Sequence, residues 1–198
     1  PQSWIDANAA KIASSTPSGT GQDDYAFLRI TGTTNPAGTL PDSFAALPME
    51  GADPSSGDQM LLAAYPAGFL GGISIALNLY ITSAVATVGQ LYDFSGDTVD
   101  LFSLGGTVVS QAGSSGGAAV NAYGKLQGII VTEVPSATTA GRDLRALTLS
   151  HINRSLSSEG LGGITALLSG DPATIAANFQ ATSAPRETKA LEDALAKQ

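Results

Sequence analysis

Short apolar runs recur through the first two thirds of the chain, each closed by glycine, proline, serine or aspartate: DYAFLRI, FAALPM, QMLLAAY, GISIALNLYITSAVATV, TVDLFSLG, GAAVNAY and KLQGIIVTEV. Their β-branched and aromatic content, partial alternation and turn-rich spacers predict short β-strands. No helical pattern alternates with them, so a βαβ architecture is not supported. The pattern changes near Ala140. Leu144, Leu147, Ile152 and Leu156 fall at roughly helical spacing, with a stop at Gly160. ITALLSG is a short helix, and Asp171 an N-cap with Pro172 at the first helical position. A last helix is expected from about Pro185 to Ala196. WIDANAAKIASS near the start reads as a short helix or an irregular edge strand, with Trp4 a packing residue.

Composition narrows the class. With 43% hydrophobic and 13% charged residues, the chain can bury a core and is not disordered. A formal net charge of −8 disfavours nucleic acid and anionic membrane surfaces, which recruit clustered Lys and Arg. The absence of cysteine excludes disulfides and thiolate metal sites. Gln59 to Tyr92 carries no charge, and Gly68 to Val88 is long enough to span a bilayer. Gly71, Gly72, Asn78 and the β-branched content favour buried strands instead.

The most informative segment is Gly113-Ser114-Ser115-Gly116-Gly117, between one strand-like run and two strands joined by a turn at Tyr123-Gly124. A serine on a tight turn exposes its hydroxyl. Flanking glycines let backbone N–H groups converge on one point, where they would stabilise the oxyanion of a tetrahedral intermediate. Taken alone, such a loop is also a common linker.

The wider context adds a resemblance. GSSGGAAVNAYGKLQGIIV resembles the nucleophile region of trypsin-like serine proteases, in which G-x-S-G-G precedes a hairpin ending in a G-[IV]-[IV] strand. The stretch from Ser55 to Val88 is similar to the bacterial HtrA-like branch. Asp24-Tyr25-Ala26-Phe27-Leu28-Arg29-Ile30 resembles the family's aspartate-bearing strand. Asp24 and Ser115 are 91 residues apart, close to the roughly 93 of the chymotrypsin order.

The resemblance implies an all-β fold of the trypsin-like double β-barrel type: residues 1–50 a remnant of the first barrel, 51–139 a complete second barrel, and 140–198 a helical C-terminal extension. It implies Ser115 as acyl-transfer nucleophile and Asp24 as the carboxylate that orients a histidine. The N–H groups of Gly113 and Ser115 would form the oxyanion hole. Val131, Thr132 and Glu133 align with the strand edge that pairs with substrate backbone. Val109 aligns with the base of the specificity pocket, implying small or medium apolar side chains at the cleaved position. The implied substrates are polypeptides, the chemistry requires no cofactor or metal, and the implied setting is extracytoplasmic in a bacterium, although PQSWIDANAA is not a secretory signal.

Two positions depart from the family. Ser114 stands where secreted digestive enzymes carry aspartate, a residue that the HtrA-like branch also lacks. The sole histidine, His151, lies 36 residues after Ser115, whereas the family's histidine precedes the aspartate by about 45. His151 within LTLSHINRSL reads as a surface or packing residue. The expectation is therefore a truncated protease, inactive by itself, whose histidine comes from a first-barrel segment not included in the 198 residues. Exposed strand edges of a partial barrel would invite homo-oligomers. The alternatives are a non-catalytic module that binds extended peptides at a sheet edge and a structural β-domain in which GSSGG is only a turn. Asp93, Asp97 and Asp100 form an acidic cluster without EF-hand spacing. Asn153-Arg154-Ser155 is a formal glycosylation sequon.

Overall fold

The computed structural model describes residues 2–8, 11, 21–67, 80–94 and 96–196. The expected strand residues 72–79 and the first residues of the Gly68–Val88 stretch lie outside them. The chain forms two compact units: residues 24–151, which hold the described strands, and residues 1–23 with 152–198, whose described elements are helices. The β-rich body with C-terminal helices expected from the pattern is the architecture the chain adopts.

Seven strands make one antiparallel sheet: β1 (Gln59–Ala64), β2 (Thr82–Thr87), β3 (Leu91–Tyr92), β4 (Leu101–Ser103), β5 (Ala118–Asn121), β6 (Leu126–Val134) and β7 (Asp143–Thr148), in the order β2-β1-β5-β6-β7-β4-β3. The two outer members are halves of one bent strand. Val88 N–H donates to Asp58 O on the β1 side, and Gly89 N–H donates to Ser103 O on the β4 side, one residue later. The sheet therefore closes on itself as a six-stranded barrel, and closure removes the exposed edges that an open sheet would carry. β5 returns beside β1, the spatial order of a Greek key.

Alternation fills the barrel. On β1, Met60, Leu62 and Ala64 are buried while Gln59 and Leu61 face out. They join Val88, Phe102, Val109, Ala119, Ile130, Leu144 and Ala146 in one apolar core. Gly128 is required where β6 crosses Phe102: a Cβ there would lie 2.5 Å from Leu147 O and 2.8 Å from the Phe102 ring.

Three local expectations are corrected. Residues 24–30, expected as a strand, join no ladder among the described residues and are largely exposed, as are residues 31–49. A strand exists only through a partner, and among the described residues only Met49 bridges, to Leu126. The helix expected from near Ala140 begins instead at Leu149: Asp143–Thr148 is β7, with Leu144 and Ala146 inward and Asp143 and Arg145 outward. That period of two was present in DLRA, but the leucine spacing masked it. The last helix is continuous over Pro172–Leu195, with Pro185 inside it rather than at its start.

The helical unit holds α1 (Gln2–Asn8), most of α2 (Leu149–Ser158), α3 (Gly163–Ser169) and α4 (Pro172–Leu195). Asp171 caps α4 as expected, accepting from Ala173 N and Thr174 N. Asn153 of the sequon accepts the Ile164 N–H of α3 at 3.0 Å and so serves as a distal cap. No described helix is long and apolar enough to cross a membrane.

Glu50 staples the segment before β1 to the β5–β6 turn through Lys125 at 3.2 Å. The Ala52 N–H foremost, then the Lys125 ammonium, hold its carboxyl below the usual glutamate value. A depressed folded-state pKa stabilises the native chain above the unfolded pKa, and this support is lost as pH falls through the folded value. Carboxyl titration by NMR should find Glu50 ionising below an ordinary glutamate. Lys125→Met should move it only part of the way back, because the backbone N–H bonds remain.

Candidate active site

The segment between β4 and β5 is a chain of tight turns fastened by its own polar groups. Ser110 Oγ donates to Gly105 O at 3.1 Å and accepts from Thr107 N at 2.9 Å. Ser114 N–H donates to Gln111 O, and Gly117 N–H to Ser114 O. Gly116 and Gly117 join the turn to β6: Gly116 N–H donates to Ile130 O, and Ile130 N–H donates to Gly117 O, both at 2.8 Å.

Ser114 and Ser115 have opposite fates within this turn. Ser114 is buried, and its hydroxyl donates to Val109 O at 2.6 Å. A neutral side chain with one satisfied hydroxyl suits that interior position, where a charge would be costly. Ser115 is exposed, flanked by Gly113 at φ +92° and Gly116 at φ +83°, values that L side chains rarely adopt. Its Oγ donates to Val131 O at 3.3 Å. Val131 sits at a register shift between Ile130 and Thr132, where β6 has one residue more than β7. Such bulges re-aim a strand locally, and here the bulged residue meets the exposed serine. Among the described residues no acceptor takes the N–H of Gly113 or of Ser115, although the N–H groups of Ser114, Gly116 and Gly117 are all engaged.

The other residues singled out in the sequence bring no side chain to Ser115. Val109 is fully buried in the barrel core, so its side chain packs there instead of presenting itself to a ligand. Thr132 is exposed on β6, and Glu133 pairs in register with Leu144. Asp24 is exposed and makes no hydrogen bond or ion pair with a described residue. Neither Asp24 nor His151 is a hydrogen-bond partner of Ser115.

His151 belongs to a different constellation. Its Nδ1 lies 3.1 Å from Asp100 Oδ1, and its ring meets Phe94 edge-on at 5.1 Å. Asp100, 1% exposed, also accepts from Phe94 N at 2.8 Å and Thr98 Oγ1 at 3.0 Å. Two members of the acidic cluster have structural roles: Asp100 fastens this corner, and Asp93 accepts from Gly96 N. Among the described residues no group of three His, Asp or Glu is placed to hold a metal ion.

Sequence reasoning missed the ties behind the turn. Arg142 Nη1 donates to Ser110 O at 2.6 Å and to Gln111 Oε1 at 2.7 Å. Gln111 Nε2 in turn reaches Thr139 Oγ1 at 3.4 Å. Partners about 30 residues apart, on loops with no shared motif, leave no periodic trace in a sequence.

No protein-family profile matches this chain, and no curated protein sequence matches it. Solved structures similar to it include Rv3671c of M. tuberculosis H37Rv in an inactive mutant form, 20% identical over 58% of this chain and 53% of that one, TM-score 0.41. Another is mouse neuropsin, a serine protease, 15% identical over 62% of this chain and 56% of that one, TM-score 0.43. A third is kallikrein-related peptidase 10, 18% identical over 62% of each chain, TM-score 0.42. Each match spans less than two thirds of the other protein. At these scores they are likenesses only.

Proposed function

We propose that this chain carries the nucleophile and oxyanion hole of a trypsin-like serine endopeptidase of the HtrA-like kind, working on polypeptides outside a bacterial cytoplasm. The observation that carries the reading is the turn itself. Ser115 is exposed between two positive-φ glycines, and the N–H groups of Gly113 and Ser115 have no described acceptor while their neighbours' do. The closed six-stranded barrel and the likeness of GSSGGAAVNAYGKLQGIIV to the family's nucleophile region are consistent with it.

In this reading Ser115 Oγ attacks a peptide carbonyl while a base takes its proton. The resulting oxyanion accepts from Gly113 N and Ser115 N, and the amine departs with the proton to leave an acyl-enzyme. Water then releases the acyl group by the same steps. Val131 to Glu133 would lie alongside the substrate backbone, and Asp24 would orient the base. No metal or cofactor is needed. His151 is held by Asp100 and is not assigned as base. The base is assigned instead to a histidine from a first-barrel segment supplied by a longer product or a separate fragment. Without a base a serine hydroxyl is a poor nucleophile, so the 198 residues alone are expected to be nearly inert.

A second reading is favoured by one observation: the only described partner of Ser115 Oγ is a carbonyl. That suits a pseudo-protease that binds extended peptides without cleaving them. Fluorophosphonate labelling separates the two, applied to an upstream-extended protein, to this chain and to a Ser115→Ala control. The protease reading expects labelling of the extended protein, lost in the control. A folded extended protein that stays unlabelled overturns it in favour of the binding module.

A further inference from the structure

We infer that Arg142 is the positioning residue of the nucleophile turn: its guanidinium grips Ser110 and Gln111 from the loop after β6 and so holds the Gly113 and Ser115 N–H groups in register. The inference rests on the oxyanion-hole reading above and adds the device that keeps the hole in shape.

A turn of successive small residues has little to stiffen it. Gly113 has access to conformations closed to other residues, and the hole works only if its donors are fixed before charge develops. Glycine content supplies the shape but not the rigidity. Arg142 supplies a tie from outside. One nitrogen, Nη1, donates to a backbone carbonyl four residues after Gly106 and to a side-chain amide oxygen one residue further on. Gln111 is 8% exposed, so its side chain has little water to exchange for these partners. The Gln111 backbone carbonyl accepts the N–H of Ser114, the residue between the two proposed donors. The grip thus reaches the hole through a single residue.

The loop bearing Arg142 is itself built to hold still. Thr139–Gly141 is a 3-10 turn capped by the Thr138 hydroxyl, which accepts from Gly141 N, and the Arg142 N–H donates to Thr139 O. Thr139 O also packs so closely on Gly106 that a Cβ there could not be accommodated. Asp143 turns away from Arg142 to pair with Arg145 at 2.8 Å, and no described carboxylate side chain bonds to Arg142. Its hydrogen bonds are therefore directed at the nucleophile turn. A charged donor makes shorter and stronger bonds than a neutral one, as the 2.6 and 2.7 Å distances reflect.

The test uses this chain labelled with nitrogen-15 and the probe N-acetyl-Ala-Ala-Pro-Val with a free carboxylate, a product mimic that needs no base to bind. Its amidated form is the control. The carboxylate peptide should shift the Gly113 and Ser115 amide resonances. Arg142→Met should weaken its binding by about tenfold or more, with the barrel's other resonances and thermal midpoint little changed, and Arg142→Lys, which keeps a cationic donor, should recover much of it. A merely structural residue would lower the midpoint without selectively disturbing those two amides. Gln111→Met, which removes the acceptor and leaves the arginine, should give a similar loss and serves if Arg142→Met does not fold. Unchanged binding in the folded variants overturns the role of Arg142 while the oxyanion-hole reading stands. Failure of the original chain to show either shift overturns both.

Discussion

An Asp100→Ala chain should lose about 3 kcal/mol of stability, the scale expected when buried donors lose their shared acceptor, read by chemical denaturation followed through the barrel. The thermal midpoint should fall by about 10 °C. Asp100 is almost wholly buried and accepts from Phe94 N, Thr98 Oγ1 and His151 Nδ1. Alanine would strip all three donors of this acceptor at once, and each donor left dry costs about 1–3 kcal/mol. His151→Leu should cost less, because Asp100 keeps the bonds from Phe94 N and Thr98 Oγ1. If Asp100→Ala changes stability by less than about 1 kcal/mol, the corner is wet and the account given for His151 is wrong. The expected result also bears on function. A histidine that is held by the β3–β4 connection has a structural reason to be in the sequence, so its presence does not argue for catalysis.

How much of this was legible in the sequence depended on the distance over which each signal acts. The Tyr123-Gly124 turn, the β5–β6 hairpin and the Asp171 cap are local and were read directly, because turn chemistry and capping act within a few residues. Residues 24–30 carry the composition of a strand but form none, since a strand needs a neighbour and composition does not say whether one is supplied. β7 was mistaken for helix because Leu144 and Leu147 fit a helical period as well as a strand face leading into α2. Asp100 and His151 each stand out in the sequence, one in an acidic cluster and the other as a surface or packing residue of a helix, but nothing there joins them. Their pairing across 51 positions became visible only in the fold. The Arg142 grip lay beyond reach for the same reason. Barrel closure was hidden too, because the chain from β2 to β3 serves both edges of the sheet and changes partner at Val88–Gly89, just where the apolar run ends.

Whether GSSGG is a built turn or a linker can be decided by two alanine substitutions one residue apart. In a linker Gly116→Ala and Gly117→Ala should behave alike, each altering stability by a few tenths of a kcal/mol. In this structure they should differ sharply. At Gly116 a Cβ meets nothing within 4 Å, and the only cost is the left-handed backbone at φ +83°, about 1 kcal/mol. At Gly117 a Cβ would stand 2.6 Å from Ala64 Cβ, 2.8 Å from Ala63 O and 2.8 Å from Ser114 O. Those atoms are backbone or a methyl fixed to it, so no flexible side chain can yield. The strain should reach about 3 kcal/mol, the upper end for overpacking an interior. It falls on the strand pair β1–β5 and on the carbonyl of Ser114, so the shape of the serine turn should suffer with the stability. Equilibrium denaturation gives the two costs, and the amide shifts of Gly113 and Ser115 report the turn. A Gly117→Ala chain as stable as Gly116→Ala would mean that β1 does not press on the turn, and the geometry assigned to Ser115 would lose its support.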